Sequence, residues 1–304
     1  MIDVVIPTYN RLWALRRVAA FYLLREGVRR VIVVDDASTD GTGEWLRTEA
    51  EREPRLIPMS HERNRGASAA RNTGADVAMA PFVFFADDDM LFTPGDSLSF
   101  MLGELEAQKA DIAAPVHVLP ETSKDLTLPA VVPSSTSSPR ALYHRHTLEL
   151  RSRAVVAGWE LPPSFGASLG GAWMLMRRAV LETVRYDESL GVTGYRDETD
   201  FQLKALTHGH RMIACARPVM IDLARVNDNG GCHSTSRAEY VWRACRNNWR
   251  ILVRHREVIR NRLGIGAPIS YLQLCFVGEH AIALGRNYIG RLLRLFGFRG
   301  RRHE

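Results

Sequence analysis

Asp87-Asp88-Asp89 follows directly on the apolar run Phe82-Val83-Phe84-Phe85-Ala86. A run that rich in aromatic and β-branched residues predicts a buried strand. Three carboxylates at the mouth of such a strand repel one another and lose hydration, so something cationic must offset them. A hard divalent ion, Mn2+ or Mg2+, is the usual solution: carboxylate oxygens hold it while it holds substrate phosphates. The alternative is a solvated loop that happens to be acidic.

The surrounding elements decide between these readings. Asp3-Val4-Val5-Ile6-Pro7 and Val31-Ile32-Val33-Val34 predict two more buried strands, and Leu56-Ile57-Pro58-Met59 a short one. Helical periodicity runs from Leu12 to Leu24, from Thr42 to Ala50 and from Gly66 to Ala78. Strands alternating with helices imply a mainly parallel sheet flanked by helices on both faces. Ligands of such sheets sit at the carboxyl ends of the strands. Tyr9-Asn10-Arg11, Asp35-Asp36 and Asp87-Asp88-Asp89 all fall at such ends, so three distant clusters converge on one edge. That convergence favours the metal reading. Further along, Gly170-Gly171-Ala172-Trp173-Met174-Leu175-Met176 predicts a strand after a tight glycine turn, and Ala179 to Val184 a helix. Asp197-Glu198-Thr199-Asp200 opens another helix, a place where the helix dipole alone favours acids. Residues 120–139 are rich in Ser, Thr and Pro and predict a mobile loop, either a passive excursion or a substrate lid.

The chain of 304 residues is long enough for one large α/β domain with additions. Its net charge of +6 is unevenly placed. Residues 1–225 carry 26 Lys and Arg against 29 Asp and Glu, a net of −3; residues 226–304 carry 14 against 5, a net of +9. The expected division is therefore an α/β unit over 1–225 and a basic, mainly helical C-terminal region over 226–304. In the latter, Trp242, Cys245, Trp249 and Leu252 recur at helical spacing beside Arg243, Arg246, Arg250 and Arg254, which predicts a core-packed helix with a solvated basic face. Residues 286–304 interleave apolar residues with Arg291, Arg294, Arg299, Arg301 and Arg302, the pattern of a membrane-surface helix. Of four cysteines none forms a CxxC, so free thiols in a reducing compartment are expected. Met1-Ile2-Asp3 runs straight into a strand, which fits no signal peptide, and no stretch of about 18 uncharged apolar residues occurs. A cytoplasmic protein is expected, with the basic C-terminus a candidate peripheral contact at the inner face of a membrane.

Taken together, Val5-Ile6-Pro7-Thr8-Tyr9-Asn10-Arg11, Val34-Asp35-Asp36-Ala37-Ser38-Thr39-Asp40-Gly41-Thr42, Asn64-Arg65-Gly66-Ala67-Ser68-Ala69-Ala70-Arg71-Asn72-Thr73-Gly74 and Phe85-Ala86-Asp87-Asp88-Asp89 resemble inverting glycosyltransferase family 2 in order, spacing and wording. A weaker likeness continues through Trp173-Met174, Tyr186-Asp187-Glu188-Ser189-Leu190 and Asp197-Glu198-Thr199-Asp200. The resemblance implies the GT-A fold and a nucleoside-diphosphate sugar donor with a hydroxyl acceptor, which could be a glycan, a lipid-linked sugar or a small molecule. It implies that Pro7, Tyr9 and Arg11 line the nucleobase pocket, where a ring and an apolar turn offer a stacking surface. Asp36 would accept from a base N–H of the kind uracil or thymine carries, which favours a UDP- or dTDP-sugar. Asn64 and Arg71 would close the other side of that pocket, and Asp87 and Asp88 would meet the ribose or the metal. Asp89, completing a D-x-D motif with Asp87, would hold the Mn2+ or Mg2+ that bridges the diphosphate. Inversion needs a base opposite the leaving group. Family members commonly carry Glu-Asp-x-Asp there; Glu198 stands at the position of the base, with Asp197 as rival and Asp200 as a structural or orienting residue or one on the acceptor side. Trp173 would flank the acceptor or pack in the core. His233, behind Gly230-Gly231, is a candidate further metal ligand or a surface histidine.

Other classes fit less well. The first strand is followed by no glycine, so the dinucleotide-binding fingerprint fails, and no P-loop sequence occurs. A phospho-acceptor signalling domain would need neither the acidic triplet nor Arg71 and Glu198. No nucleic-acid recognition motif accompanies the basic tail, so no nucleic-acid partner is expected. The Gln-x-x-Arg-Trp of processive synthases is missing; the nearest string is Arg246-Asn247-Asn248-Trp249-Arg250. A non-catalytic sugar-nucleotide-binding protein is the alternative that the residues leave open.

Overall fold

The computed structural model describes residues 1–93, 95–120, 143–144, 149–150, 164–167, 173–192, 195–223 and 237–278. The expectations for residues 121–139, Gly170-Gly171-Ala172, the 225/226 boundary, His233 and residues 286–304 lie outside them.

Four strands build the first half: β1 (Ile2–Thr8), β2 (Val28–Asp35), β3 (Leu56–Ser60) and β4 (Phe82–Phe85). They pair in parallel in the order β3-β2-β1-β4. Every residue of β1 and β4 is buried, because helices cover both faces of a parallel sheet; hence the unbroken apolar runs. The crossovers are α1 (Leu12–Leu23), α2 (Thr42–Arg52) and α3 (Ala67–Val77). Ile2, Val4 and Ile6 pack with Leu15, Val18 and Tyr22 of α1 and Leu46 of α2. Val5, Ile32 and Val34 pack with Ala70 and Ala75 of α3 on the other face. The small residues of α3 let it approach closely: a Cβ at Gly74 would lie 2.3 Å from Val5 Cγ1.

The second half comprises β5 (Met90–Thr93), α4 (Ser97–Ala107), β6 (Ile112–Pro120), a ribbon of β7 (Tyr143–His144) and β8 (Glu149–Leu150), β9 (Ser164–Ala167), β10 (Met174–Arg177), α5 (Val180–Thr183), α6 (Asp197–Thr207) and β11 (Met212–Asp222). β10 lies antiparallel between β4 and β6. β11 runs parallel to β6, and its outer edge is shared by β9 along Met212–Cys215 and β5 along Val219–Asp222. Thus β1–β4, β6 and β11 run one way while β5, β9 and β10 oppose them. The sheet is mainly parallel, as expected.

α7 (Arg237–Arg254), α8 (Arg256–Asn261) and helical residues 269–278 follow. Ile251, Leu252, Ile259 and Leu272 share a cluster with Leu190 and with Leu203 of α6, which seats these helices on the body. One expectation is corrected here. Trp242 and Trp249 are not in the packed face of α7; they are 60% and 45% exposed. The inward face consists of Ala244, Asn247, Asn248, Ile251 and Leu252. Its two asparagines are buried because each has partners: Asn247 donates to the Leu190 carbonyl at 3.0 Å and Asn248 to Gln273 Oε1 at 2.7 Å. Among the described residues no helix is long and apolar enough to cross a membrane.

Candidate active site

The carboxyl ends of β1, β2 and β4 meet at one sheet edge and open on a cavity of about 420 Å3. The loops after β1 and β2 brace each other. Asn10, with φ of 52°, takes a hydrogen bond from the Thr39 N–H at 2.7 Å, and its own N–H donates to Ser38 Oγ at 2.8 Å. Asp40 Oδ2 accepts from the Leu12 N–H at 2.9 Å, satisfying a donor that the start of α1 leaves open.

Cations do offset the acidic triplet, and in this structure they are arginines. Arg11 Nη1 reaches Asp88 Oδ1 at 2.7 Å and Asp89 Oδ2 at 2.6 Å. Thr8 Oγ1 donates to Asp88 Oδ2 at 2.7 Å. Burial pushes the Asp88 carboxyl above the usual range in spite of Arg11 and Thr8. Asp87 accepts from Arg71 Nη2 at 2.8 Å and from Trp173 Nε1 at 2.7 Å.

Arg71 is the hub. Besides Asp87 it binds Asp197 Oδ2 through Nη1 at 2.9 Å and lies 3.2 Å from Glu198 Oε1. Its guanidinium carbon is 5.2 Å from the centre of the Tyr186 ring. Burial alone would lower its pKa, but Asp197, Glu198 and Asp87 outweigh that and keep it charged. Arg71 lines the cavity, with both Nη groups on carboxylates.

The acidic pair opens α6, whose preceding residue Arg196 has φ of 67°. Asp197 is 2% exposed and also accepts from Ser68 Oγ at 2.8 Å. Glu198 lines the cavity and stands higher in pKa than an ordinary glutamate, raised by burial first and by Asp197 second.

Asp36 anchors the start of α3. Its oxygens accept from the Gly66 N–H at 2.6 Å, the Arg65 N–H at 2.9 Å and His61 Nδ1 at 2.7 Å. His61 Nε2 in turn meets Thr73 Oγ1 at 2.9 Å. Asn64 Oδ1 accepts from the Gly66 N–H at 3.1 Å. Gly66 has φ of 91°, and a Cβ there would lie 2.8 Å from Val192 Cα, so only glycine fits.

Pro7, Tyr9, Arg11, Asp36, Asn64, Arg71, Asp87, Asp88, Asp89, Asp197 and Glu198 all line the cavity. Two expected residues do not. Trp173 is 9% exposed and reaches the site only through Asp87. Asp200 is turned away and paired with Lys204 at 2.6 Å, His255 at 2.8 Å and Arg254 at 2.9 Å. It is a structural anchor between α6 and α7, so its acceptor-side assignment is corrected. The cavity wall instead includes Tyr195, Thr199 and Tyr240, which lack a motif of their own. His61 also escaped the sequence reading; its one signal is its place at the carboxyl end of β3, on the same edge. Among the described residues no three His, Cys, Asp or Glu side chains form a metal cage. Asp87 and Asp89 nonetheless present hard carboxylate oxygens to the cavity, the donor type that suits Mn2+ or Mg2+ when phosphates and water complete the shell.

The sequence model of glycosyl transferase family 2 matches residues 3–155. Succinoglycan biosynthesis protein ExoU of Rhizobium meliloti is 26% identical over 248 residues, 80% of this chain and 68% of that protein. An uncharacterized glycosyltransferase of Rickettsia conorii is 34% identical over 92 residues, 30% of this chain and only 15% of that longer protein. Among solved structures, the mannosyltransferase PcManGT from Pyrobaculum calidifontis, in complex with GDP-Man and Mn2+, superposes with a TM-score of 0.57 at 19% identity, over 97% of this chain and 79% of that one. S. aureus TarS 1-349 in complex with UDP-GlcNAc gives 0.55 at 16% identity, over 92% and 71%. At such identities these likenesses speak for the GT-A fold. With the matched motifs converging on one cavity, the chain belongs to glycosyl transferase family 2.

Proposed function

We propose that this chain is an inverting glycosyltransferase that moves a sugar from a nucleoside-diphosphate sugar to a hydroxyl acceptor. The observation that carries the reading is the Arg71 hub. One guanidinium holds the donor-side Asp87 and the acidic pair Asp197-Glu198 on a shared cavity. Glu198 is the base: its oxygen takes the acceptor hydroxyl proton as that oxygen attacks the anomeric carbon, and the bond to the diphosphate breaks with its electron pair leaving on the diphosphate. Asp197 is the weaker candidate, since Ser68, Arg71 and the Glu198 N–H already use its oxygens. Pro7, Tyr9 and Arg11 line the base pocket, Asp36 accepts from a base N–H, Asn64 and Arg71 close its other side, and Asp88 meets the ribose or the metal. Asp89 and Asp87, with His233 a further candidate ligand, would hold a divalent cation, which would supply charge stabilisation for a departing diphosphate. Arg11 then has to release Asp89.

The relatives named above include proteins complexed with UDP-GlcNAc and GDP-Man; for this chain a UDP- or dTDP-sugar is the proposed donor, and polysaccharide, glycolipid or natural-product glycoside the product class. Residues 1–225 form the transferase unit and 226–304 a basic helical addition. One observation favours a non-catalytic sugar-nucleotide-binding protein: Arg11 already neutralises Asp88 and Asp89.

Thermal stabilisation by a panel of nucleoside diphosphates, with and without Mn2+, separates these readings when run on wild type and Asp89→Ala. Ligand that binds only the folded state raises the melting temperature. A Mn2+-dependent shift lost in Asp89→Ala, together with donor cleavage lost in Glu198→Gln, is the expected result. Binding without cleavage in wild type supports the binding protein; no shift with any nucleotide overturns both.

A further inference from the structure

α7 has two opposed faces. The inward one is buried, as described. The outward one carries Trp242, Trp249 and Val253, which are 60%, 45% and 44% exposed. Their spacing of seven and four residues stacks them along one side of the helix. Arg246 lies on the same side, with its guanidinium carbon 5.6 Å from the centre of the Trp242 ring. Helical residues 269–278 are tied to α7 by Gln273, which also donates to the Cys245 carbonyl at 3.0 Å. They add Leu274, 68% exposed, and Val277, 39% exposed. Of the nine large hydrophobic residues exposed among the described residues, six fall between 242 and 277, so the exposure is concentrated and not scattered. The same stretch, 237–278, holds eight arginines against two glutamates.

We propose that this outward face docks on an anionic lipid surface. Indole rings settle at the headgroup level of a bilayer, aliphatic side chains enter the acyl boundary, and guanidinium groups meet lipid phosphates. Of the arginines in this stretch, Arg243 and Arg254 are paired with carboxylates and Arg250 is held by Ser189; Arg246, on the tryptophan face, favours an anionic surface over a second copy that would bring its like against it. The aliphatic share distinguishes lipid from a single-stranded nucleic acid, whose bases ask for aromatic platforms. Tyr240, which lines the candidate cavity, lies on the opposite side of the same helix, so docking leaves the cavity wall on the face of α7 turned from the lipid.

The test is sedimentation of the full chain with vesicles containing phosphatidylglycerol and with vesicles of phosphatidylcholine alone. Wild type sediments with the anionic vesicles only, and less as salt rises. The double variant Trp242→Ser/Trp249→Ser lowers the partition coefficient about tenfold or more, given the indole area it removes. Leu274→Ser, a separate surface change, lowers it several-fold, and both variants keep the wild-type melting temperature. Three results overturn the proposal. Wild type fails to sediment; or both variants sediment like wild type, which moves the contact elsewhere in the chain; or wild type is a dimer in solution that the double variant turns into a monomer. Sedimentation needs neither donor nor acceptor, so its failure leaves the transfer reading intact, and a failed nucleotide panel leaves the docking intact.

Discussion

Replacing Arg71 by methionine removes the one cation shared by Asp87, Asp197 and Glu198 and keeps most of the side-chain volume. Arg71 is 3% exposed, and its partners lie at 2.8, 2.9 and 3.2 Å. Taking away one partner of a buried charge network costs about 3–5 kcal/mol, because the remaining charges stay buried without compensation. For a chain of this size that is a fall in melting temperature of roughly 6–10 °C, at ~2 °C per kcal/mol. The loss depends on pH. Glu198 already stands above the usual glutamate pKa with Arg71 present; without it the folded chain holds still more protons than the unfolded one. Stability then falls as pH rises. The deficit is therefore largest near pH 8 and shrinks toward about pH 5, as Glu198 takes up its proton. Urea unfolding of wild type and variant at the two pH values measures it. A deficit equal at both values, or one below about 1 kcal/mol, refutes the electrostatic account and leaves only packing. Arg71→Lys restores part of the loss, since a point charge cannot reach three carboxylates in one plane.

Glu198→Gln keeps nucleotide binding and lowers turnover by about 10^2–10^4-fold. In wild type the base must be ionised, and burial with Asp197 raises its pKa, so the acid limb of the kcat/KM profile lies above the ordinary glutamate value of 4.5 and moves to lower pH in Asp197→Asn. At Asp187, burial raises the pKa, but Ser189 and Arg254 outweigh it and hold the carboxyl at about 2, down from 3.8. That depressed pKa contributes about 1–2 kcal/mol after allowance for solvent around Arg254, present above pH ~4 and lost as pH falls toward ~2. Unfolding curves of wild type and Asp187→Asn should accordingly converge at low pH. Gly74→Ala destabilises by about 1–2 kcal/mol by thermal melting, because overpacking against Val5 exceeds the gain of about 1 kcal/mol in helix propensity; a stabilised variant would show that α3 can move off β1.

The parts of this molecule that were legible in the sequence are those governed by local pattern. Apolar runs gave β1, β2 and β4, and their polar termini gave the cavity edge, since strand direction alone decides where a parallel sheet places its loops. What stayed hidden depends on partners distant in sequence. Arg71 was read as a wall of the nucleotide pocket, and it does line the cavity; its pairing with Asp197 and Glu198, more than 120 residues away, left no mark in the local pattern. Asp200 stands in an acidic cluster with Asp197 and Glu198, and only its pairing with Arg254 and His255 shows that it points the other way. In α7 two faces carry hydrophobic residues, and periodicity gives their angle but not which one meets the body. The buried face was the one holding Asn247 and Asn248, a choice set by carbonyl and amide partners that no helical pattern records.

The place of β10 in the sheet has a consequence for how this chain is made. β4 ends at Phe85 and β6 begins at Ile112, yet the strand that joins them, Met174–Arg177, is synthesised much later. Until a ribosome has delivered it, Phe82-Val83-Phe84-Phe85 is an open, wholly apolar edge. A nascent chain of this order closes its sheet through long-range pairing, which is slow and leaves such an edge exposed to other chains. A fragment cut at residue 155, where the match to the family model ends, retains that edge for good; its fate is aggregation, and truncation studies of this protein have to keep β10.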